Sequence, residues 1–200
     1  MTADREKSRA ELGFDQSDFV LLAFGGSQGA GRVNKAMTGI IEAFNGLKGF
    51  RICLATGSYY YDAIKEELKE KGIQVADNVD IMEYIHDMAK YLSAADLVIS
   101  RSGALSVAEV TVCGVPAVFI PSPLVTGNHQ YFNAKAVADK GGALIIEEKD
   151  LNNDELIGEI LKLKNDPATL KQMAEKSYSC APLDATGIIC DSIMEAIGQK

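Results

Sequence analysis

The feature that most constrains this chain is an alternation of two patterns. Short apolar runs recur at Phe19–Phe24, Phe50–Thr56, Val79–Met82, Leu97–Ser100, Ala117–Ile120 and Ala143–Ile146. Each is rich in Val, Ile, Leu or Phe and shows little polar alternation, which suits strands covered on both faces. Between them lie amphipathic helical patterns at Val33–Asn45, Tyr59–Lys71, Asp87–Ser93, Ala104–Cys113 and Asn128–Lys140. A β-α unit repeated in this way predicts a doubly wound parallel α/β sheet of about six strands, with right-handed connections. After Ile146 the pattern turns wholly helical, at Leu151–Leu163, Ala168–Ser177 and Ala185–Gly198, with breaks at Asn165-Asp166-Pro167 and Ala181–Pro182. No repeat or low-complexity linker interrupts it. Residues 1–200 therefore read as one domain with a helical C-terminal tail, preceded by a polar helical lead-in at Thr2–Leu12.

Charge and composition narrow the function classes. The net charge of −8 argues against a nucleic-acid groove, which needs clustered Lys and Arg. It equally disfavours this surface as the main contact with an anionic membrane. The first residues, Met1–Leu12, are too charged for a secretory leader, and no apolar run approaches the roughly 20 residues that span a bilayer. The longest, Gly114–Pro123, reads as a buried strand. Cys53, Cys113, Cys180 and Cys190 form no C-x-x-C pair, and their apolar neighbours suggest small core residues kept reduced in a cytosol. His86 and His129 lack a partner at ligand spacing, so no metal site is expected.

Three turns at strand ends concentrate groups able to bind a ligand. The first is Gly25-Gly26-Ser27-Gln28-Gly29-Ala30, where glycines permit a tight turn and the next helix offers free amides and a positive dipole end to a phosphate. A nicotinamide dinucleotide site would place an acid at the end of the second strand, but Ala55-Thr56-Gly57-Ser58 stands there. No Gly-Lys-Ser/Thr follows either, so the P-loop reading also fails. A bare structural turn stays open.

The second turn runs from Ser100 through Arg101, Ser102, Gly103, Ala104, Leu105 and Ser106 to Glu109. Ser102 is placed to cap a helix beginning near Gly103. On that helix Ser106 and Glu109 share a face among apolar neighbours. A carboxylate buried there needs a partner. The two hydroxyls of a ribose would supply one, at about 1.5–3 kcal/mol per bond to a charged group. A solvent-facing Glu109 that binds nothing is the alternative. The third turn, Pro121–Asn133, gathers Asn128, His129, Gln130 and Asn133 near a helix start, chemistry suited to sugar hydroxyls or simply to capping. All three turns fall at carboxyl ends of expected parallel strands, the edge on which open α/β sheets bind ligands. One elongated ligand carrying phosphate, ribose and sugar would span them.

These segments, together with Asn34, Tyr84-Ile85-His86-Asp87-Met88, Gly114-Val115-Pro116-Ala117, Asn128–Ala134 and Asp184-Ala185-Thr186, resemble the C-terminal, donor-binding domain of the MurG family. Members of that family are bacterial glycosyltransferases that add N-acetylglucosamine to an undecaprenyl-pyrophosphoryl-muramoyl-pentapeptide carrier in peptidoglycan synthesis. The resemblance covers most of the chain. It implies a Rossmann-like GT-B domain and metal-free inverting transfer from UDP-N-acetylglucosamine, with no cofactor. It also implies roles for matched positions. Gly26, Ser27, Gln28 and Gly29 would lie near the donor phosphates. The main chain of Ile85 would read the uracil edge, with Met88 packed beside it. Ser102, Gly103, Ala104, Leu105 and Ser106 would present the helix mouth to the pyrophosphate. Glu109 would bind the ribose, and Gln130 with His129 the sugar hydroxyls.

Two departures stand out. The family usually has Thr where Ser106 stands, which retains the hydroxyl. The family's N-terminal acceptor domain has no counterpart in these residues, and with it the lipid-binding and membrane-facing surfaces and the presumed base are missing. The expectation is therefore a donor-binding half, inactive in transfer alone. Membrane contact would come only through the missing domain. The location would be cytoplasmic, or peripheral at the cytoplasmic face of the inner membrane for the full enzyme. A natural donor-binding subunit of a two-chain transferase, a non-catalytic UDP-sugar-binding module and a UDP-sugar hydrolase or 2-epimerase are the alternatives.

Overall fold

The computed structural model describes residues 2–181 and 183–198. Pro182, half of the break expected at Ala181–Pro182, lies outside the described residues, as does Met1. Among the described residues the strands are β1 (Phe19–Phe24), β2 (Phe50–Ala55), β3 (Val79–Met82), β4 (Leu97–Ser100), β5 (Ala117–Phe119) and β6 (Ala143–Ile145). They form one parallel sheet in the order β3-β2-β1-β4-β5-β6. The chain starts in the middle, winds to one edge, then returns to pair β4 against β1 and winds to the other. That return is the topological switch point.

The register aligns the strand ends. At the carboxyl edge, paired positions run Met82, Ala55, Phe24, Ser100, Phe119 and Ile145 across all six strands. Every loop that leaves this edge therefore starts from one rim.

The helices are α1 (Thr2–Leu12), α2 (Gly31–Phe44), α3 (Tyr61–Glu70), α4 (Met88–Ala94), α5 (Ala104–Val112), α6 (His129–Ala138), α7 (Asn153–Lys164), α8 (Pro167–Tyr178) and α9 (Ala185–Ala196). Side chains of a strand alternate between faces, and both faces here are covered. Leu21 and Ala23 of β1 join Val33, Met37 and Ile40 of α2, Leu68 of α3 and Ile160 of α7 in one layer. Val20, Leu22 and Phe24 join Leu92 of α4, Val110 of α5 and Val137 of α6 in the other. This double cover explains why the strand sequences carry no polar alternation. Helix starts follow capping chemistry where solvent meets the chain. Asp87, Asn152 and Asp166 accept amide hydrogen bonds at the mouths of α4, α7 and α8, the last with Pro at its first turn.

Two expectations need correction at the ends of the chain. The segment Thr2–Leu12 is more than a polar lead-in. Arg9 is 1% exposed and its guanidinium is fully engaged by the amino edge of the sheet. The cysteines are not uniformly core residues. Cys53 is buried, Cys113 and Cys180 are half-buried, and Cys190 is exposed; all four are free thiols. Cys190 lies on α9, which has no buried residue and leaves Ile188, Ile189 and Ile193 open.

Candidate functional site

At the switch point the two central turns leave the sheet side by side, because Phe24 and Ser100 are paired neighbours. Adjacent strands lie about 4.8 Å apart, so one phosphate-sized group can face both turns.

The first turn is held open by its glycines. Gly26 and Gly29 adopt φ of 87° and 79°, the left-handed region that favours glycine. A Cβ on Gly29 would come within 1.9 Å of the Thr56 carbonyl oxygen, and one on Gly57 within 2.4 Å of the Gln28 carbonyl oxygen. The turn is thus pressed against the end of β2. The buried Asn34 side chain ties the same corner, donating from Nδ2 to the Thr56 carbonyl at 2.9 Å. Its Oδ1 has no partner among the described residues. Ser27 and Gln28 are exposed at the tip, and their side chains make no hydrogen bond to any described residue.

The second turn opens α5. Its N-cap is Gly103, with extended φ and ψ of −61° and 150°, and not Ser102. Ser102 is fully buried, and its hydroxyl donates to the Gln130 carbonyl at 2.8 Å. That hydroxyl is spent inside the protein, so Ser102 can offer a ligand only its main chain. The first amide bonded back into the helix is that of Val107, to the Gly103 carbonyl at 2.9 Å. The amides of Ala104, Leu105 and Ser106 therefore have no intrahelical acceptor and point from the positive end of the dipole. The Leu105 side chain is 81% exposed.

Glu109 shares the outer face of α5 with Ser106. It is exposed, where the sequence suggested a buried carboxylate; only Val110 and Thr111 of this helix are buried. The desolvation argument for a ligand partner therefore falls away. What remains is an open carboxylate with no hydrogen bond or ion pair among the described residues. Its charge, after burial, helps hold the Cys113 thiol pKa above the ordinary value.

The third turn meets the second through α6. Asn133 Nδ2 donates to the Ser102 carbonyl at 3.0 Å, adding to the bond from Ser102 to Gln130. The Gln130 side chain accepts from the Ser122 amide at Oε1 (2.9 Å), which leaves its NH2 group as the available donor. His129 is exposed and its Nδ1 lies 3.0 Å from the Thr126 carbonyl. A carbonyl can only accept, so Nδ1 is the donor in this contact. Asn128 precedes α6 in the left-handed region at φ 52°.

The loop after β3 reaches the same rim. Ile85 is 3% exposed and joins the layer that also holds Val110 of α5; Met88 packs on that layer. Among the described residues no hydrogen bond engages the main chain of Ile85. The exposed Tyr84 and His86 flank it, with ring centroids 5.2 Å apart.

Sequence reasoning missed an ionic cluster on this edge. Arg101 donates to the Ile120 carbonyl at 2.9 Å and pairs with Glu148 just past β6. The Glu148 carbonyl in turn accepts from Arg32, in the first turn of α2, at 2.9 Å. A cleft of about 320 Å³ beside this cluster is lined by Arg32, Pro121, Asn128, Tyr131 and Lys149. The acidic run after the last strand, at the same edge, was the available signal. A larger hollow of about 590 Å³ lies at the opposite edge, between Asp96, Pro116 and Tyr178. It is away from the converging strand ends and the open amides. Among the described residues no cluster of His, Cys, Asp or Glu could hold a metal ion, and no helix is long and apolar enough to cross a membrane.

Comparison with known proteins gives a consistent result. Residues 20–186 match the model for the glycosyltransferase family 28 C-terminal domain. The UDP-N-acetylglucosamine–N-acetylmuramyl-(pentapeptide) pyrophosphoryl-undecaprenol N-acetylglucosamine transferase of Desulforudis audaxviator is 39% identical over 98% of the chain and 53% of its own length. The Bacillus subtilis protein of the same name is 35% identical over 90% of the chain and 48% of its own length. The chain thus spans about half the length of the curated relatives it matches. Among solved structures, Acinetobacter baumannii MurG superposes with a TM-score of 0.77 at 30% identity, over 96% of the chain and 53% of that structure.

Proposed function

Because the chain belongs to the family of glycosyltransferase family 28 C-terminal domains, we propose that it is the UDP-N-acetylglucosamine-holding half of an inverting GT-B transferase that serves peptidoglycan synthesis. The observation that carries this reading is the convergence at the switch point. The Gly26–Gly29 turn, the free amides of Ala104–Ser106 and the Gln130 side chain all leave the carboxyl edge of the sheet on the neighbouring strands β1, β4 and β5, which supports a single ligand reaching all three.

In this assignment Ser27 and the glycine turn face the donor phosphates on one side, and the α5 mouth faces them on the other. Glu109, one turn into α5, accepts from the ribose hydroxyls. The unengaged main chain of Ile85 pairs with the uracil edge, and Met88 backs the ring. Gln130 donates from its NH2 group to a sugar hydroxyl, with His129 Nε2 alongside. When an acceptor hydroxyl attacks the anomeric carbon, negative charge moves onto the departing diphosphate. Amides already aimed at that position stabilise the charge without reorganising, which is the usual source of large electrostatic catalysis.

Relatives of this chain are about twice its length. We assign the lipid-linked acceptor, the attacking base and the membrane contact to the other half of such a protein, or to a partner chain. The protein would then work at the cytoplasmic face of the membrane, and transfer by this chain alone is not expected.

Calorimetric titration of UDP and UDP-N-acetylglucosamine into the wild type and Glu109→Ala tests the reading. The wild type should bind both. The variant should lose about 1.5–3 kcal/mol, which is about tenfold to a hundredfold in affinity, with unchanged thermal stability because Glu109 is exposed and unpaired. Failure of the wild type to bind UDP ends the proposal. Equal affinity for the two proteins removes Glu109 from the site.

A further inference from the structure

Glu148 sits where two helix mouths can be coupled. Its carboxylate pairs with Arg101, whose side chain is 13% exposed against 18% for Glu148. Arg101 immediately precedes Ser102-Gly103, the entrance to α5, and its guanidinium also holds the Ile120 carbonyl at the end of β5. The carbonyl of the same Glu148 accepts from Arg32, the second residue of α2. A single residue, three positions past the end of β6, thus grips the start of the glycine-turn helix by its main chain and the entrance to α5 by its side chain. The α2 start is also tied to the end of β2 through Asn34 and Thr56, and the α5 entrance to α6 through Ser102, Gln130 and Asn133, but each of those ties serves one mouth, whereas Glu148 contacts both.

We propose that Glu148 is a positioning residue that fixes the separation of the α2 and α5 amino ends, and so the fit of the protein to a diphosphate. The inference rests on the reading that both helix mouths face one donor diphosphate. Hydrogen bonds weaken steeply when distance or angle departs from ideal. Releasing Arg101 lets the Arg101–Gly103 turn relax and misaligns amides that a diphosphate needs and a nucleoside does not. The loss should therefore appear in the phosphate part of the ligand and spare the nucleoside part.

The test compares uridine and UDP affinities by NMR titration of the wild type, Glu148→Ala and Glu148→Gln. The ratio of UDP to uridine affinity should fall about tenfold in Glu148→Ala, the worth of one charge-assisted hydrogen bond. It should fall less in Glu148→Gln, whose amide oxygen can still accept from Arg101. A ratio that stays at the wild-type value in a folded Glu148→Ala protein overturns the inference. So does equal weakening of both ligands, which would mark a role in general stability. If Glu148→Ala does not fold, the near-isosteric Glu148→Gln decides by the same ratio. Absence of UDP binding by the wild type is a separate outcome and removes the donor-site reading on which the inference stands.

Discussion

Arg9 on α1 lies 2.6 Å from Asp96 through Nη2, across the amino edge of the sheet, with its side chain 2% exposed. Its Nε and Nη1 donate to the carbonyls of Ala94, Gln16 and Asp18. Asp96 also accepts from the Val20 amide at 2.8 Å, at the start of the central strand. The first helix is thereby bound to the switch-point strands from below, while the candidate site sits above them.

Removing Arg9 takes one of the two guanidinium partners of Asp96, leaving Arg5 on its other oxygen, and strips three carbonyls of their donor. Breaking a buried pair on one side costs about 3–5 kcal/mol. Arg9→Ala should lower stability by about that amount in urea denaturation, and Arg9→Lys should recover only part, since one ammonium cannot reach every acceptor of the guanidinium. A loss under about 1 kcal/mol would mean that the pair behaves as a surface ion pair.

The glycine turn makes a sharper test of geometry. Ala at Gly29 must hold a φ near 79° and bring its Cβ against the Thr56 carbonyl. A left-handed non-glycine residue alone costs about 1–3 kcal/mol, and the clash with main chain adds to it. Gly29→Ala should lower the melting temperature and weaken UDP binding together. Gly103→Ala should spare stability, because nothing lies within 4 Å of a Cβ there and φ is −61°. Similar melting temperatures for the two variants would contradict the close approach of the first turn to β2.

Much of this arrangement was legible because its causes are local. Runs covered on both faces read as strands, and Phe19–Phe24, Val79–Met82 and Leu97–Ser100 match the observed bounds. Strand-end turns then fell on one rim by topology alone. The misreadings arose where a distant residue decides. Ser102 looks like a cap from its neighbours, but its hydroxyl is claimed by Gln130, 28 residues away. Arg101 and Glu148 stand 47 residues apart, and although the acidic pair Glu147-Glu148 follows the last strand, only the sheet order brings it to Arg101. Glu109 has apolar neighbours in sequence, yet α5 turns only Val110 and Thr111 fully inward. Arg9 looked like one more charge on a polar helix, because three of its four acceptors are carbonyls, whose positions are invisible in a sequence, and the fourth, Asp96, is 87 residues away.

Thiol chemistry should separate the four cysteines. Burial, with the Asp80 charge beside it, pushes the Cys53 thiol far above its ordinary range, whereas Cys190 is exposed on α9. Reactivity needs both access and thiolate. At pH 8 a maleimide or disulfide reagent should label Cys190 first and leave Cys53 untouched until the protein unfolds. Burial also raises the half-buried Cys113, which should react slowly. Fast labelling of Cys53 in the folded protein would show that β2 is not covered as described.

Gln130 allows the sugar subsite to be tested apart from the nucleotide. Its Oε1 is already committed to the Ser122 amide, so only the NH2 group can reach a ligand, and it can only donate. Gln130→Glu keeps an oxygen for Ser122 and therefore keeps the turn. It replaces the outward donor with an acceptor carrying negative charge. A sugar hydroxyl can rotate to donate to a carboxylate, but a contact in which it must accept is lost. UDP makes no use of that contact. UDP-N-acetylglucosamine affinity should therefore drop in Gln130→Glu by about 1–3 kcal/mol while UDP affinity holds. Gln130→Ala should weaken the fold as well, because it leaves the half-buried Ser122 amide without its acceptor. If both ligands weaken equally in a stable Gln130→Glu protein, the side chain faces the diphosphate and the sugar must lie elsewhere on the rim.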